Sequence, residues 1–256
     1  MIARAWDRLR QEGRAGLVPY LTAGHPSPAE SRDAIRAAAG LADLIEIGVP
    51  FSDPLADGPT IQRASLDALR QGMTLGRTLE LVADAALPVP VVLFSYLNPV
   101  LQYGVDALVR DAQAAGVAGI LLTDLPAGAD PALERQVLDS PLDLIRLVAP
   151  NAPPERVAAV VREAEGFIYL VARLGVTGAS RQLSAGLAAS VGRVREATTL
   201  PIAVGFGIST PTQAREVAAV ADGVVVGSAL VDALDRDGAA AMASLLAEIR
   251  AGLAGT

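Results

Sequence analysis

The chain has 256 residues, a formal net charge of -7, no cysteine and, among its 21 basic residues, no lysine. The missing thiols and amines exclude disulfides, thiol nucleophiles and every Schiff-base mechanism, including covalent attachment of pyridoxal phosphate to this chain. The acidic balance argues against a nucleic-acid partner, since affinity for phosphodiester backbones comes from Lys and Arg.

Composition is even throughout and no Ser-rich or charged linker divides the chain, so one domain spanning 1–256 is expected. The start, "MIARAWDRLRQEG", carries charges and no apolar core of an export signal. The longest apolar run, "ALPVPVVLFSYL", is broken by two prolines and is too short to span a bilayer. A cytoplasmic protein with no membrane contact is the expectation.

The first predicted strand, "LVPYLTA" (17–23), places Tyr20 and Thr22 on one face. The lone histidine, His25, follows in "TAGHPS" and reads as a turn residue before Pro26, and a His-rich metal site is thereby implausible. Ser27-Pro28-Ala29-Glu30 fits a capping box that opens a helix. The second strand, "DLIEIGV" (43–49), is unusual because Glu46 sits between Ile45 and Ile47. A buried carboxylate costs several kcal/mol, roughly, unless it is neutralised or paired, so its presence in a core strand points to a use. If the face shared by Leu44, Glu46 and Gly48 looks inward, the isoleucines face the helices and Gly48 leaves space above the carboxylate. The loop beyond carries Asp53, read as a turn former or partner contact, and Asp57.

The third strand, "VVLFSY" (91–96), groups Phe94 with Tyr96, and "GILLTD" (119–124) is the fourth. Asp130-Pro131 then opens a helix, and "DLIRLVA" (143–149) is the fifth strand. In the sixth, "FIYLVA" (167–172), Phe167, Tyr169 and Val171 share a face, so Tyr169 is expected to approach Glu46. The following segment, "RLGVTGASRQLSAGL" (173–187), has no apolar period and reads as a lid over bound substrate, anchored by Thr177. "PIAVGFG" (201–207) is the seventh strand, Thr210-Pro211-Thr212-Gln213 a second capping box, and "GVVVGS" (223–228) the eighth strand. Eight evenly spaced βα units predict a (β/α)8 TIM barrel, for which about 250 residues is typical, in preference to an open doubly wound sheet.

A barrel of this kind works at the C-terminal ends of its strands. Three glycine turns fall there, "GVTG" (175–178), "GFGIS" (205–209) and "VGSA" (226–229), and glycine lets backbone N-H groups approach an anion. With Ser228 able to add a hydroxyl, they predict a phosphate-bearing substrate. The few aromatics at strand ends suit a flat aromatic group, although each taken alone also fits ordinary barrel filling.

The motifs "EIGVPFSDPLADGPTIQRAS", "TDLP", "GVTG", "VGFGIS" and "VVGSALV", in this order, closely resemble the tryptophan synthase alpha subunit family over nearly the whole chain. The resemblance implies a (β/α)8 lyase that cleaves indole-3-glycerol phosphate to indole and glyceraldehyde 3-phosphate. It implies no cofactor in this chain, and a partner beta subunit that carries pyridoxal phosphate in an alpha-beta-beta-alpha assembly. It assigns catalysis to Glu46, Asp57 and Tyr169, and the phosphate to Gly178, Phe206, Gly207, Gly227 and Ser228. Tyr20, Phe94, Tyr96, Leu121 and Thr177 match positions around the rest of the substrate, while Pro50, Asp53 and Asn98 match contacts to the beta subunit. Tyr20 stands where the family often has Phe, and the connection before strand 3 is short. The chemistry fits independently: Glu46 in an apolar lumen is expected to hold a raised pKa, and Asp57 in a polar loop to stay ionised. Rival readings are a phosphosugar isomerase on the same barrel, a regulatory partner with a dead site, and a self-sufficient indole-releasing lyase. Glu46 paired with a buried arginine would make it a structural group.

Overall fold

The computed structural model describes residues 1–171, 186–205 and 207–253. Its elements run α1 (Ile2–Glu12), β1 (Gly16–Thr22), α2 (Pro28–Ala39), β2 (Ile45–Gly48), α3 (Pro59–Arg70), α4 (Leu75–Ala85), β3 (Val91–Ser95), α5 (Leu97–Tyr103), α6 (Val105–Ala114) and β4 (Val117–Leu122). There follow α7 (Pro131–Leu138), β5 (Asp143–Val148), α8 (Pro154–Arg162), β6 (Ile168–Val171), α9 (Leu187–Ala197), β7 (Ile202–Gly205), α10 (Pro211–Ala218), β8 (Gly223–Val226) and α11 (Ser228–Leu253). The strands pair in parallel in chain order, and β8 returns to β1 to close the barrel. All eight predicted strands are present: β1 and β4 keep the length of their apolar runs but start one or two residues earlier, and the other six are one to three residues shorter.

Alternation along the strands separates two apolar layers. Val18, Leu44, Val92, Leu121, Ile145, Phe167, Tyr169, Ala203 and Val225 fill the lumen, whereas Ile45, Ile47, Leu93 and Ile120 meet the helices. The lumen is sealed at its N-terminal end by α1, whose Ile2, Trp6 and Leu9 join the inner cluster, with Trp6 5.6 Å from Phe167 between ring centroids. Gly16 and Gly223 admit that plug: a Cβ on either would lie under 3 Å from the Trp6 ring. With one end plugged, substrate can enter only from the strands' C-terminal side.

The helices start largely as their sequences predict. Thr210 and Gln213 form a complete capping box, and Asp130 accepts from the Leu133 N-H. At α2 only half the box forms: Ser27 accepts from the Glu30 N-H, but the Glu30 carboxylate takes the Ser27 hydroxyl at 2.5 Å instead of its backbone N-H. α11 is interrupted at Gly238, whose φ of 80° is left-handed, so a first helical piece over the barrel mouth is followed by a second that packs on α10 and α2.

Two buried carboxylates show how this fold satisfies a charge. Asp43, at the base of β2, accepts from Arg14 twice at 2.8 Å, from Arg250 at 3.0 Å and from the Leu17 N-H at 3.0 Å. Burial alone would raise its pKa, but these donors hold it below the ordinary value. Glu134 is likewise paired with buried Arg146 and accepts from the Gly128 N-H at 3.0 Å.

Candidate active site

Glu46 has neither kind of partner. It is 0% exposed, and neither carboxylate oxygen makes a hydrogen bond among the described residues. Arg146, the one buried arginine among the described residues, is committed to Glu134, so none of the described arginines pairs with Glu46. Burial pushes its pKa up from 4.5 to about 8. At pH 7 the group is therefore neutral by roughly ten to one.

The carboxyl opens onto a cavity of about 320 Å³ at the C-terminal end of the barrel, lined by Tyr20, Asp57, Phe94, Tyr169, Gly207, Gly227 and Ser228 together with Thr60, Ile61 and Asp232. Eight of the predicted site residues thus converge on one space. Tyr20 is the register neighbour of Glu46 and meets the Phe94 ring edge-on at 5.2 Å. The space expected above Glu46 is filled by this tyrosine: a Cβ at Gly48 would lie 2.0 Å from the Tyr20 hydroxyl. Gly205 does the same for Tyr169, whose hydroxyl would be 2.2 Å from a Cβ there. Both phenols are buried, and burial, followed by nearby carboxylates, raises their pKa well above 10, so they stay protonated.

Asp57 departs from expectation in degree. Its loop folds back over the lumen, and burial raises the carboxyl from 3.8 to about 6 despite a hydrogen bond donated by the Tyr96 hydroxyl at 3.0 Å. It remains mostly ionised at pH 7, with a pKa about two units below that of Glu46. Tyr96 does not line the cavity. It stacks near Phe51, with ring centroids 5.0 Å apart, accepts from the Ala56 N-H at 3.0 Å and so holds the Asp57 loop. Leu121 belongs to the inner cluster as the register neighbour of Phe94 and does not itself line the cavity.

At the far wall, Gly207 has a left-handed φ of 86° and Gly227 precedes Ser228, the first residue of α11. The opening N-H groups of a helix have no intrahelical acceptor, so they and the Ser228 hydroxyl can receive an anion. Thr177, Gly178 and Phe206, and the predicted lid up to residue 185, lie outside the described residues. Thr60 and Asp232 were missed by sequence reasoning. Thr60 is inside the quoted loop motif, and Asp232 stands one helical turn after Ser228, a spacing that could have found it. His25 lies in a turn, as expected, and is buried, with a pKa lowered by burial.

A wider cavity of about 670 Å³ lies between the ends of β4, β5 and β6, but no carboxylate lines it, and of its two arginines Arg146 is held by Glu134 while Arg156 donates to the Ala127 carbonyl at 3.2 Å. Among the described residues no cluster of three or more His, Asp or Glu side chains is arranged to hold a metal ion.

The family model described as tryptophan synthase alpha chain matches residues 6–252. The tryptophan synthase alpha chain of Acidiphilium cryptum is 49% identical over 247 residues, which cover 93% of this chain and 90% of that protein. That of Gluconobacter oxydans is 49% identical over 228 residues, covering 87% and 84%. Among solved structures, the tryptophan synthase alpha subunit of Legionella pneumophila superposes with a TM-score of 0.91 at 33% identity, covering 100% of this chain and 98% of that one. A chain of tryptophan synthase from Mycobacterium tuberculosis superposes with a TM-score of 0.90 at 41% identity, covering 98% and 97%.

Proposed function

The chain belongs to the tryptophan synthase alpha chain family, and from that premise we propose that Glu46 and Asp57 cleave indole-3-glycerol phosphate in the cavity at the barrel mouth. The chain is a lyase of tryptophan biosynthesis that releases indole and glyceraldehyde 3-phosphate. The observation that carries the residue assignment is the buried, unpartnered Glu46 carboxyl opening onto the space it shares with Asp57.

Breaking the bond between indole C3 and the glycerol chain requires a proton on C3, compensation of the charge that reaches the ring nitrogen, and removal of the glycerol hydroxyl proton. Glu46, protonated up to about pH 8, gives its proton to C3. The resulting carboxylate takes the hydroxyl proton as the carbon-carbon electron pair moves to the ring and the aldehyde of glyceraldehyde 3-phosphate forms. The acid thus ends the turnover as it began. Asp57, ionised above about pH 6, accepts from the indole N-H and offsets the cation. Tyr96 holds that carboxylate, while Tyr20, Phe94 and Tyr169 enclose the ring, backed by Leu121, the register neighbour of Phe94. The phosphate is assigned to Gly207, Gly227 and Ser228, joined by Gly178 and Phe206, and Thr177 to the lid. Glu46→Gln removes the transferable proton, so indole release should fall by ~10²- to 10⁴-fold while glycerol phosphate still binds. Retention of most of the turnover would overturn the assignment.

A beta subunit fits a chain of this family as partner. We place it over the loops after β2 and β3 in an alpha-beta-beta-alpha assembly, with pyridoxal phosphate confined to the beta subunit. In support, Leu55 is 92% exposed and Leu101 52% exposed, beside exposed Asp53 and Asn98, and large apolar side chains so displayed favour cover by a partner. Pro50 is buried within the chain and is a poor candidate for that contact. Among the described residues no helix is long and apolar enough to cross a membrane, and a cytoplasmic location follows from the biosynthetic role.

A further inference from the structure

The start of α3 is anchored from across the barrel mouth. Gly58, at its N-cap, supplies no side chain, and no acidic residue in the first turn offsets the partial positive charge of the helix end. The negative charge comes from α11 instead. The Thr60 hydroxyl donates to the two carboxylate oxygens of Asp232 at 3.1 and 3.2 Å. Arg63, one turn further along α3, donates to Asp232 at 3.1 Å and to Asp235 at 3.1 Å. Asp232 stands one turn after Ser228, and both line the cavity that Thr60 and Asp57 also line. From α3 the connection runs back into the loop: the Gln62 amide donates to the Asp57 carbonyl at 2.9 Å.

Resting on the function assigned above, we propose that Asp232 is a positioning residue for Asp57. It holds Thr60 and so fixes the first turn of α3. Through Gln62 and the Asp57 peptide it sets where the Asp57 carboxylate meets the indole nitrogen. Asp232 stands on α11, which itself begins at the anion cradle with Ser228, so the two ends of the substrate are received by parts of the protein that are tied together. Arg63, which does not line the cavity, pairs with Asp232 and Asp235 together and so offsets part of the negative charge that α11 places near the anion cradle.

The test is steady-state indole release by Asp232→Ala, Thr60→Val and each of these combined with Asp57→Asn. Thr60→Val preserves volume and leaves the Arg63 pair with Asp232 intact, so it carries the test if the Asp232 variant folds poorly. Each single variant should lower kcat about tenfold with KM little changed, since misplacement of a catalytic group costs transition-state stabilisation. In the Asp57→Asn background neither should lower kcat further, because the group being positioned is gone. A raised KM with unchanged kcat would make Asp232 a substrate contact. An equal fold-loss in both backgrounds would make it a general structural residue, and unchanged kinetics would leave it no role; each overturns the inference. A wild-type chain that releases no indole, or an Asp57→Asn variant at full rate, would overturn the function reading itself and this inference with it.

Discussion

Replacing Glu46 with Gln should stabilise the protein that it inactivates, by an amount that depends on pH. The folded chain keeps the Glu46 proton up to about pH 8, whereas the unfolded chain releases it near the ordinary value of 4.5. Below pH 4.5 both states hold the proton and the residue adds no pH dependence. Between the two values the unfolded state binds fewer protons, so stability falls as pH rises, by about 1.4 kcal/mol per unit, and above pH 8 the loss levels off. The raised pKa then corresponds to a full loss of about 5 kcal/mol, of which about 3 kcal/mol is present at pH 7. No discount for solvent screening is due, because the side chain is fully buried. Gln cannot titrate, so the variant lacks this term, and every other titrating group is shared by the two proteins. The assay is urea denaturation of both at pH 5, 6, 7 and 8, read as the difference in unfolding free energy. The variant should gain on the wild type steadily with pH, by about 3 kcal/mol in all across a series of this width. A difference that stays constant with pH would mean that Glu46 has a partner or solvent access in the folded protein, and would remove the physical basis for its role as an acid.

The pH profile of kcat/KM should rise through about 6, as Asp57 ionises, and fall through about 8, as Glu46 loses its proton. Tyr96→Phe deletes the hydrogen bond that lowers the Asp57 pKa, so the acid limb should move to higher pH while the alkaline limb stays; equal movement of both limbs would refute the separate assignment. At Gly227 a Cβ would meet the Tyr20 side chain at 3.4 Å, so the branches of Gly227→Val have to crowd Tyr20 or the anion cradle, and calorimetric titration should show glycerol phosphate binding weakened about tenfold or more. Unchanged affinity would move the phosphate elsewhere. Asp53→Ala should reduce the activation of indole release by an added beta subunit more than it reduces the basal rate, because Asp53 is exposed in the loop that carries Asp57; equal fold-activation would reject that coupling.

The strand pattern, the inward face of Glu46 and the placing of Gly207 and Gly227 at the strand ends were legible in the sequence because each depends on local order. Alternation with a period of two puts Glu46 and Leu44 on one side and Ile45 and Ile47 on the other whatever the strand pairs with, and both Thr210 and Asp130 cap from within one turn. What the sequence left open was whether a charge has a partner, because that is a matter of distance between segments far apart in the chain. Asp43, Glu134 and Glu46 are all carboxylates in or beside core elements; among the described residues folding brings arginines to the first two and none to the third, and this difference makes Glu46 a buried neutral acid. Asp57 looked like a solvated loop residue until the loop folded over the lumen and burial raised its pKa. Thr60 and Asp232 are 172 residues apart and meet only because closing the barrel sets the end of β8 beside the end of β1, with α3 and α11 over the junction. Short-range geometry is written in the order of residues, whereas the desolvation and pairing that tune a carboxylate are fixed only when the chain has closed on itself.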